Sequence, residues 1–146
     1  MIAAGEGRPE LQGDHARRER GERRRRPVEV LVLYFYPRDE TPGCTREACS
    51  FRDAFSAYSE AGADIVGVST DSAEAHRGFA QHHRLPFGLI ADTDGRLAGA
   101  FGVPVSSGYT RTTVVIGRDG RVARVFPNVR VDGHSDEVLA AVRAAR

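Results

Sequence analysis

The chain is poor in cysteine, has no lysine and contains no long apolar run. No stretch approaches the roughly eighteen apolar residues that a membrane helix needs, and the N-terminus lacks the apolar core and small-residue cleavage site of a secretory signal. A cytoplasmic protein without membrane contact is expected. With two cysteines in 146 residues, Cys44 and Cys49, a disulfide-stapled scaffold is excluded, and a tetrahedral zinc site would be half empty without matched histidines. Where thiols are kept reduced, such a pair points to catalysis or redox sensing. The absence of lysine makes all 21 basic residues arginine, a usage that reflects coding bias more than site design. Internal repeats are also absent, and the length suits one ordinary domain.

Formal net charge is +1, unevenly spread: residues 1–26 hold eight arginines against five acids, and the rest holds thirteen against fifteen. The run "RRERGERRRR" could neutralise phosphates. It has no aromatic partners and includes Glu19 and Glu22, so a solvated, disordered tail over 1–27 is expected, with no nucleic-acid contact. The folded domain is expected over 28–146.

From Val28 the character changes. "VEVLVLYFY" is nearly continuous in apolar, β-branched and aromatic residues, the mark of a central strand buried on both faces, and Pro37 ends it. Cys44, Ala48, Phe51, Phe55 and Tyr58 then recur at helical spacing, with Gly62 as the C-terminal cap. "ADIVGVST" predicts a second buried strand. Asp71 or Ser72 can cap the helix "SAEAHRGFAQHHR"; "FGLIAD" reads as a strand and "TDGRLAGAFGV" as a short helix. "TRTTVVIG" and "RVARVFP" flank a turn and form a hairpin, before the last helix "SDEVLAAVRAAR". Strand and helix alternate early and the hairpin comes late. That order predicts an α/β protein with a mixed central sheet and helices on both faces.

The helix after the first strand carries the chemistry. Cys44 falls in its first turn, where unpaired amides and the dipole favour a thiolate, and a nearby arginine would favour it further. Thr41 offers a hydroxyl in the same turn. The alternative is a buried structural cysteine. Cys49 follows five residues later, which on an ideal helix separates the Cα atoms by roughly 8.7 Å. A disulfide needs about 7 Å or less, so the two cannot bond while the helix is intact. Bonding would require local unwinding, which suits a catalytic cycle better than a static staple.

The segment "FYPRDETPGCTREACSFRD" resembles the active-site segment of the peroxiredoxins: Pro37, three residues, Thr41, two residues, Cys44. The second cysteine five residues on resembles the Q subfamily, the bacterioferritin comigratory protein type. "VGVSTDSAEAHRGFA", "LPFGLIADTDGRLAGAFGV", "RTTVVIGRDGRVARVF" and "VDGHSDEVL" extend the likeness over about residues 28–145. Residues 1–27 depart from it, lacking the family's opening β-hairpin, and a misassigned start is one expectation for them.

The resemblance implies a thioredoxin-like fold and a thiol peroxidase needing no metal, haem or flavin cofactor. Cys44 would be the peroxidatic cysteine, oxidised by hydrogen peroxide or an organic hydroperoxide to a sulfenic acid. Cys49 would resolve it as a disulfide, which thioredoxin or a similar dithiol reduces. Arg111 matches the family's active-site arginine, and Thr41 and backbone amides would hold the peroxide oxygens. A monomer is expected. A redox sensor or binding protein switched by the same oxidation, and an inactive remnant with a damaged N-terminus, are the competing readings. Glu47 and Arg52 are expected as a solvated helix pair. His76, His82, His83 and His134 have no metal-ligand spacing and are expected at the surface, His82 and His83 on different faces of their helix.

Overall fold

The computed structural model describes residues 28–106 and 108–145, so the expected tail lies outside the described residues. The first apolar run forms strand β1, Val30–Phe35, every residue of it buried. Its side chains alternate between two cores. Val30, Val32 and Tyr34 face one cluster, and Leu31, Leu33 and Phe35 face the other. A near-continuous apolar sequence is what a strand covered on both sides requires.

Helix α1, Pro42–Glu60, packs Cys44, Ala48, Phe51 and Tyr58 into the first cluster. Gly62, at φ +78°, follows its end at Ala61, where a residue with a Cβ would be strained. Strand β2, Ala63–Ser69, pairs parallel with β1. A Cβ on Gly67 would lie 2.8 Å from both Leu89 Cδ2 and Tyr34 Cζ, so the glycine makes room for the tyrosine ring.

Helix α2, Ala73–His83, is capped by Ser72, whose Oγ accepts from Ala75 N at 3.1 Å. Asp71, the other expected cap, binds elsewhere. Strand β3, Gly88–Ala91, pairs parallel with β2. Helix α3, Arg96–Phe101, covers the second cluster with Leu97, Ala98 and Phe101. Two short strands that the sequence did not predict, β4 (Val105–Ser106) and β5 (Gly108–Tyr109), pair with each other. The hairpin is β6, Thr112–Ile116, and β7, Val122–Phe126. Helix α4, His134–Ala145, returns to the first cluster through Val138 and Val142.

The main sheet runs β3-β2-β1-β6-β7, with β6 antiparallel to β1. This is the expected mixed sheet with helices on both faces. The register sets Phe35 opposite Thr112. Arg111 therefore arrives beside the chain that leaves β1 and leads into α1.

Candidate active site

Thr41 is the residue before α1, at φ −76° and ψ 151°, and Pro42 opens the helix, where its missing N–H costs nothing. Cys44 sits in the first turn as expected, 1% exposed. Cys49 lies two turns into the helix, half-buried, and both thiols are free. Cys49 and Ser50 line an open depression of about 530 Å³ together with Arg46, Asp53, Ala54 and Ser135.

Arg111 reaches Cys44 from the sheet. Its Nη2 donates to the Cys44 sulfur at 3.4 Å, and its Nη1 donates to Glu47 Oε1 at 2.7 Å. Val129 N holds the arginine's carbonyl at 2.9 Å, fixing the backbone from which the side chain extends. A Cβ on Gly43 would meet Nη2 at 3.1 Å, so the glycine leaves space for the guanidinium.

Glu47 corrects the sequence reading. It is 1% exposed, not solvated, and its Oε2 has no partner. Burial pushes its carboxyl up to about 7 while Arg111 pulls the other way. Glu47 stands three residues after Cys44 and four before Phe51, on the buried face of the same periodicity. That spacing was a signal the charge obscured. Arg52 is not its pair: it donates to the His83 carbonyl at 2.8 Å and to Asp53 at 3.0 Å.

The segment between β1 and α1 is tied down at several points. Thr41 Oγ1 donates to the Arg38 carbonyl at 3.0 Å and does not cap the helix. Pro37 packs against β5, where a Cβ on Gly108 would fall 3.1–3.3 Å from proline atoms. Asp39 is buried and anchors the turn: Tyr36 Oη donates to its Oδ1 at 2.5 Å, and His76 Nδ1 lies 2.7 Å from its Oδ2. The backbone N–H of Asp39 donates to Asp71 Oδ2 at 2.8 Å. His76 Nε2 meets the Ile90 carbonyl at 3.0 Å, which can only accept, so that nitrogen carries a proton.

His76 and His134 are each 1% exposed, against the expected surface placement. Each falls on the apolar stripe of its helix, His76 with Phe79 and Ala80, His134 with Val138 and Val142. His134 Nε2 pairs with Thr113 Oγ1 at 2.8 Å and its Nδ1 with Glu137 at 2.6 Å. His82 and His83 do lie nearer the surface. Both meet one carboxylate, that of Glu40.

Cys44, Thr41, Pro37 and Arg111 thus converge around the start of α1, with Cys49 further along it. A hydrogen-bond donor of fixed positive charge and the positive end of the helix dipole face one sulfur atom. Among the described residues no helix is long and apolar enough to cross a membrane.

Comparison with known proteins gives the same direction. Residues 22–125 match the model of the AhpC/TSA family, so the match begins inside the segment expected to be a tail. A Bcp peroxiredoxin of Coxiella burnetii is 45% identical over 117 residues, covering 75% of this chain and 78% of that protein. Peroxiredoxin Bcp of Bacillus subtilis is 40% identical over 142 residues, covering 92% and 89%. Among solved structures, the Xanthomonas campestris bacterioferritin comigratory protein, described for its alkyl peroxide reduction activity, superposes with a TM-score of 0.77 at 36% identity. That likeness covers 81% of this chain and 80% of the other.

Proposed function

This chain belongs to the AhpC/TSA family as a peroxiredoxin of the Bcp/Q type, a cysteine-based thiol peroxidase of thioredoxin-like fold, and from that premise we propose that Cys44 is its peroxidatic cysteine and Cys49 its resolving cysteine. Such enzymes act on peroxides at the expense of a thiol reductant. The observation that carries the assignment is the Arg111 guanidinium shared between the Cys44 sulfur and Glu47.

In the first step the Cys44 thiolate attacks the terminal oxygen of the hydroperoxide. The S–O bond forms, the O–O bond breaks, and the departing alkoxide or hydroxide takes up a proton. Arg111 then loses an anionic partner, because the sulfenic acid is neutral. The backbone amides of the first turn are the donors for the peroxide oxygens, and Pro37 shapes the turn that presents them. The Thr41 hydroxyl, whose proton goes to the Arg38 carbonyl, offers its lone pairs to the peroxide O–H. In the second step the Cys49 thiol displaces water from the sulfenic acid to give an intramolecular disulfide. Both thiols are free and α1 is intact, so this step needs the helix start to unwind. Thioredoxin or a similar dithiol returns the disulfide to two thiols by exchange.

The substrates we assign are hydrogen peroxide and organic hydroperoxides, the latter in keeping with the alkyl peroxide reduction of the Xanthomonas protein. The catalytic unit is the domain over 28–146, acting as a cytoplasmic monomer.

The test follows hydrogen peroxide consumption with thioredoxin, thioredoxin reductase and NADPH. The intact protein should turn over, Cys44→Ser should be inactive, and Cys49→Ser should stop after one oxidation. A Cys49→Ser variant that cycles like wild type with thioredoxin removes the resolving role. A Cys44→Ser variant that retains activity removes the peroxidatic one.

A further inference from the structure

Glu40 immediately precedes Thr41 and holds its backbone at φ +63°, unusual for a residue with a side chain. Its carboxylate points at the end of α2. Glu40 Oε2 lies 2.9 Å and Oε1 3.1 Å from His82 Nδ1, and Oε1 lies 2.8 Å from His83 Nε2. One donor atom from each residue lies within 4.8 Å of the other two. Consecutive helical residues diverge by about 100°. Here the divergence is offset because His82 offers its near ring nitrogen and His83 its far one, with ring centroids 4.1 Å apart.

We propose that Glu40, His82 and His83 form a binding site for a divalent transition-metal ion of the zinc class. Two imidazoles and one carboxylate are a ligand set that zinc accepts, leaving further positions to water. A single carboxylate is too few oxygens for calcium, and neutral imidazoles are poor ligands for magnesium. The site is open to solvent, with side chains 65%, 48% and 16% exposed for His82, Glu40 and His83, so an ion can enter. Its more buried ligand is held from outside the cluster. The His83 ring packs edge-on against Phe79 at 5.0 Å, and Arg52 Nη1 holds the His83 carbonyl at 2.8 Å. The Arg52 charge is itself balanced by Asp53 at 3.0 Å.

An ion there ties Glu40, two residues before the start of α1, to the end of α2. It therefore opposes unwinding of α1; this second part rests on the Cys44–Cys49 disulfide reading, and the site itself does not.

The binding test uses the full chain with both cysteines replaced by serine, which removes the thiols as competing ligands. Zinc ion alone is titrated calorimetrically into that protein and into the same protein carrying His82→Ala or Glu40→Gln. One ion per chain is expected, with affinity falling more than about tenfold in each variant, the least that even outer partners of a metal site typically contribute. Copper ion in place of zinc should show two nitrogen ligands by electron paramagnetic resonance. Unchanged affinity in both variants, or a copper spectrum without two nitrogens, overturns the site. Thermal melts of these surface variants confirm that each is folded. For the coupling, zinc should slow disulfide formation after peroxide in the two-cysteine protein and not in His82→Ala. Equal slowing in both places the metal on the thiols and overturns the coupling while leaving the site standing.

Discussion

Arg111 stands 3.4 Å from the sulfur of Cys44 with one Nη while its other Nη is 2.7 Å from Glu47. The arginine is thus anchored by a buried carboxylate and aimed at a thiol. Replacing Arg111 by methionine removes both contacts. The oxidation rate of Cys44 by hydrogen peroxide should fall about ten- to hundredfold, the equivalent of the ~1.5–3 kcal/mol of a hydrogen bond to a charged group. Stopped-flow oxidation measures it, and a variant with the wild-type rate would end the assigned role of Arg111.

Glu47 gives the protein a pH dependence of known sign. Its carboxyl, ordinarily near 4.5, is raised to about 7 by burial, so between those values the folded chain holds a proton that the unfolded chain has released. The stability this contributes is fully present below about pH 4.5 and is lost as pH rises through about 7. Up to about 3 kcal/mol is at stake over that window, at 1.36 kcal/mol per pKa unit. Glu47→Gln has no such proton to lose. Denaturant unfolding across the window should show wild type losing stability relative to Glu47→Gln as pH rises; parallel curves would refute the shift.

Gly43→Ala sets two effects against each other. Alanine favours helix over glycine by roughly 0.8–1.0 kcal/mol in a helix interior, less at the first turn, so stability should hold or rise slightly. The new Cβ falls 3.1 Å from Arg111 Nη2, the mobile end of a long side chain, so the guanidinium moves away from the sulfur. Slower peroxide oxidation in a protein that melts no earlier is the expected pairing. A variant as fast as wild type would show that the approach of Arg111 is not limiting.

Much of this was legible in the sequence, and the misses share a cause. The strand from Val30, the helix carrying Cys44 in its first turn and the Arg111 strand all follow from apolar period and motif spacing. Glu47, His76 and His134 look outward-facing in the sequence because each is polar, although each sits at helical spacing from buried apolar neighbours. Their burial is compensated by partners far along the chain: Arg111 for Glu47, Asp39 for His76, Thr113 for His134. Periodicity can mark such a position as inward-facing, and it cannot name the partner. The Glu40 cluster joins residues more than forty positions apart and had no local signal at all. The short strands β4 and β5 escaped because a two-residue pairing is too short to leave a periodicity in the sequence.

Asp39 and His76 hold the turn that presents Thr41. Asp39→Asn turns one of the two buried carboxylate oxygens that face Tyr36 and His76 into an NH2 group, at a cost of about 1–3 kcal/mol for a buried polar group left unsatisfied. The melting temperature should drop accordingly, and peroxide reactivity should fall with it as the turn loosens. An unchanged melting temperature would remove the network from the account of site rigidity.

In the proposed Cys44–Cys49 disulfide cycle, the two hydrogen bonds to Ser135 are the first ties that unwinding of the helix start would meet. Ser50 Oγ donates to Ser135 Oγ at 2.9 Å and Tyr58 Oη to the Ser135 carbonyl at 2.6 Å, and Ser50 is the residue directly after Cys49. The helix is therefore fastened to its neighbour just past the second thiol, like a zip with a stop. Both cysteines lie on the open side of that stop, while Phe51 and Tyr58 lie on the closed side. The disulfide form should keep its aromatic core dry, so each turnover risks a short polar stretch rather than the fold, and amide exchange on oxidation should quicken up to Cys49 and stay slow from Phe51 onward. Quickened exchange at Tyr58 would mean that the stop gives way.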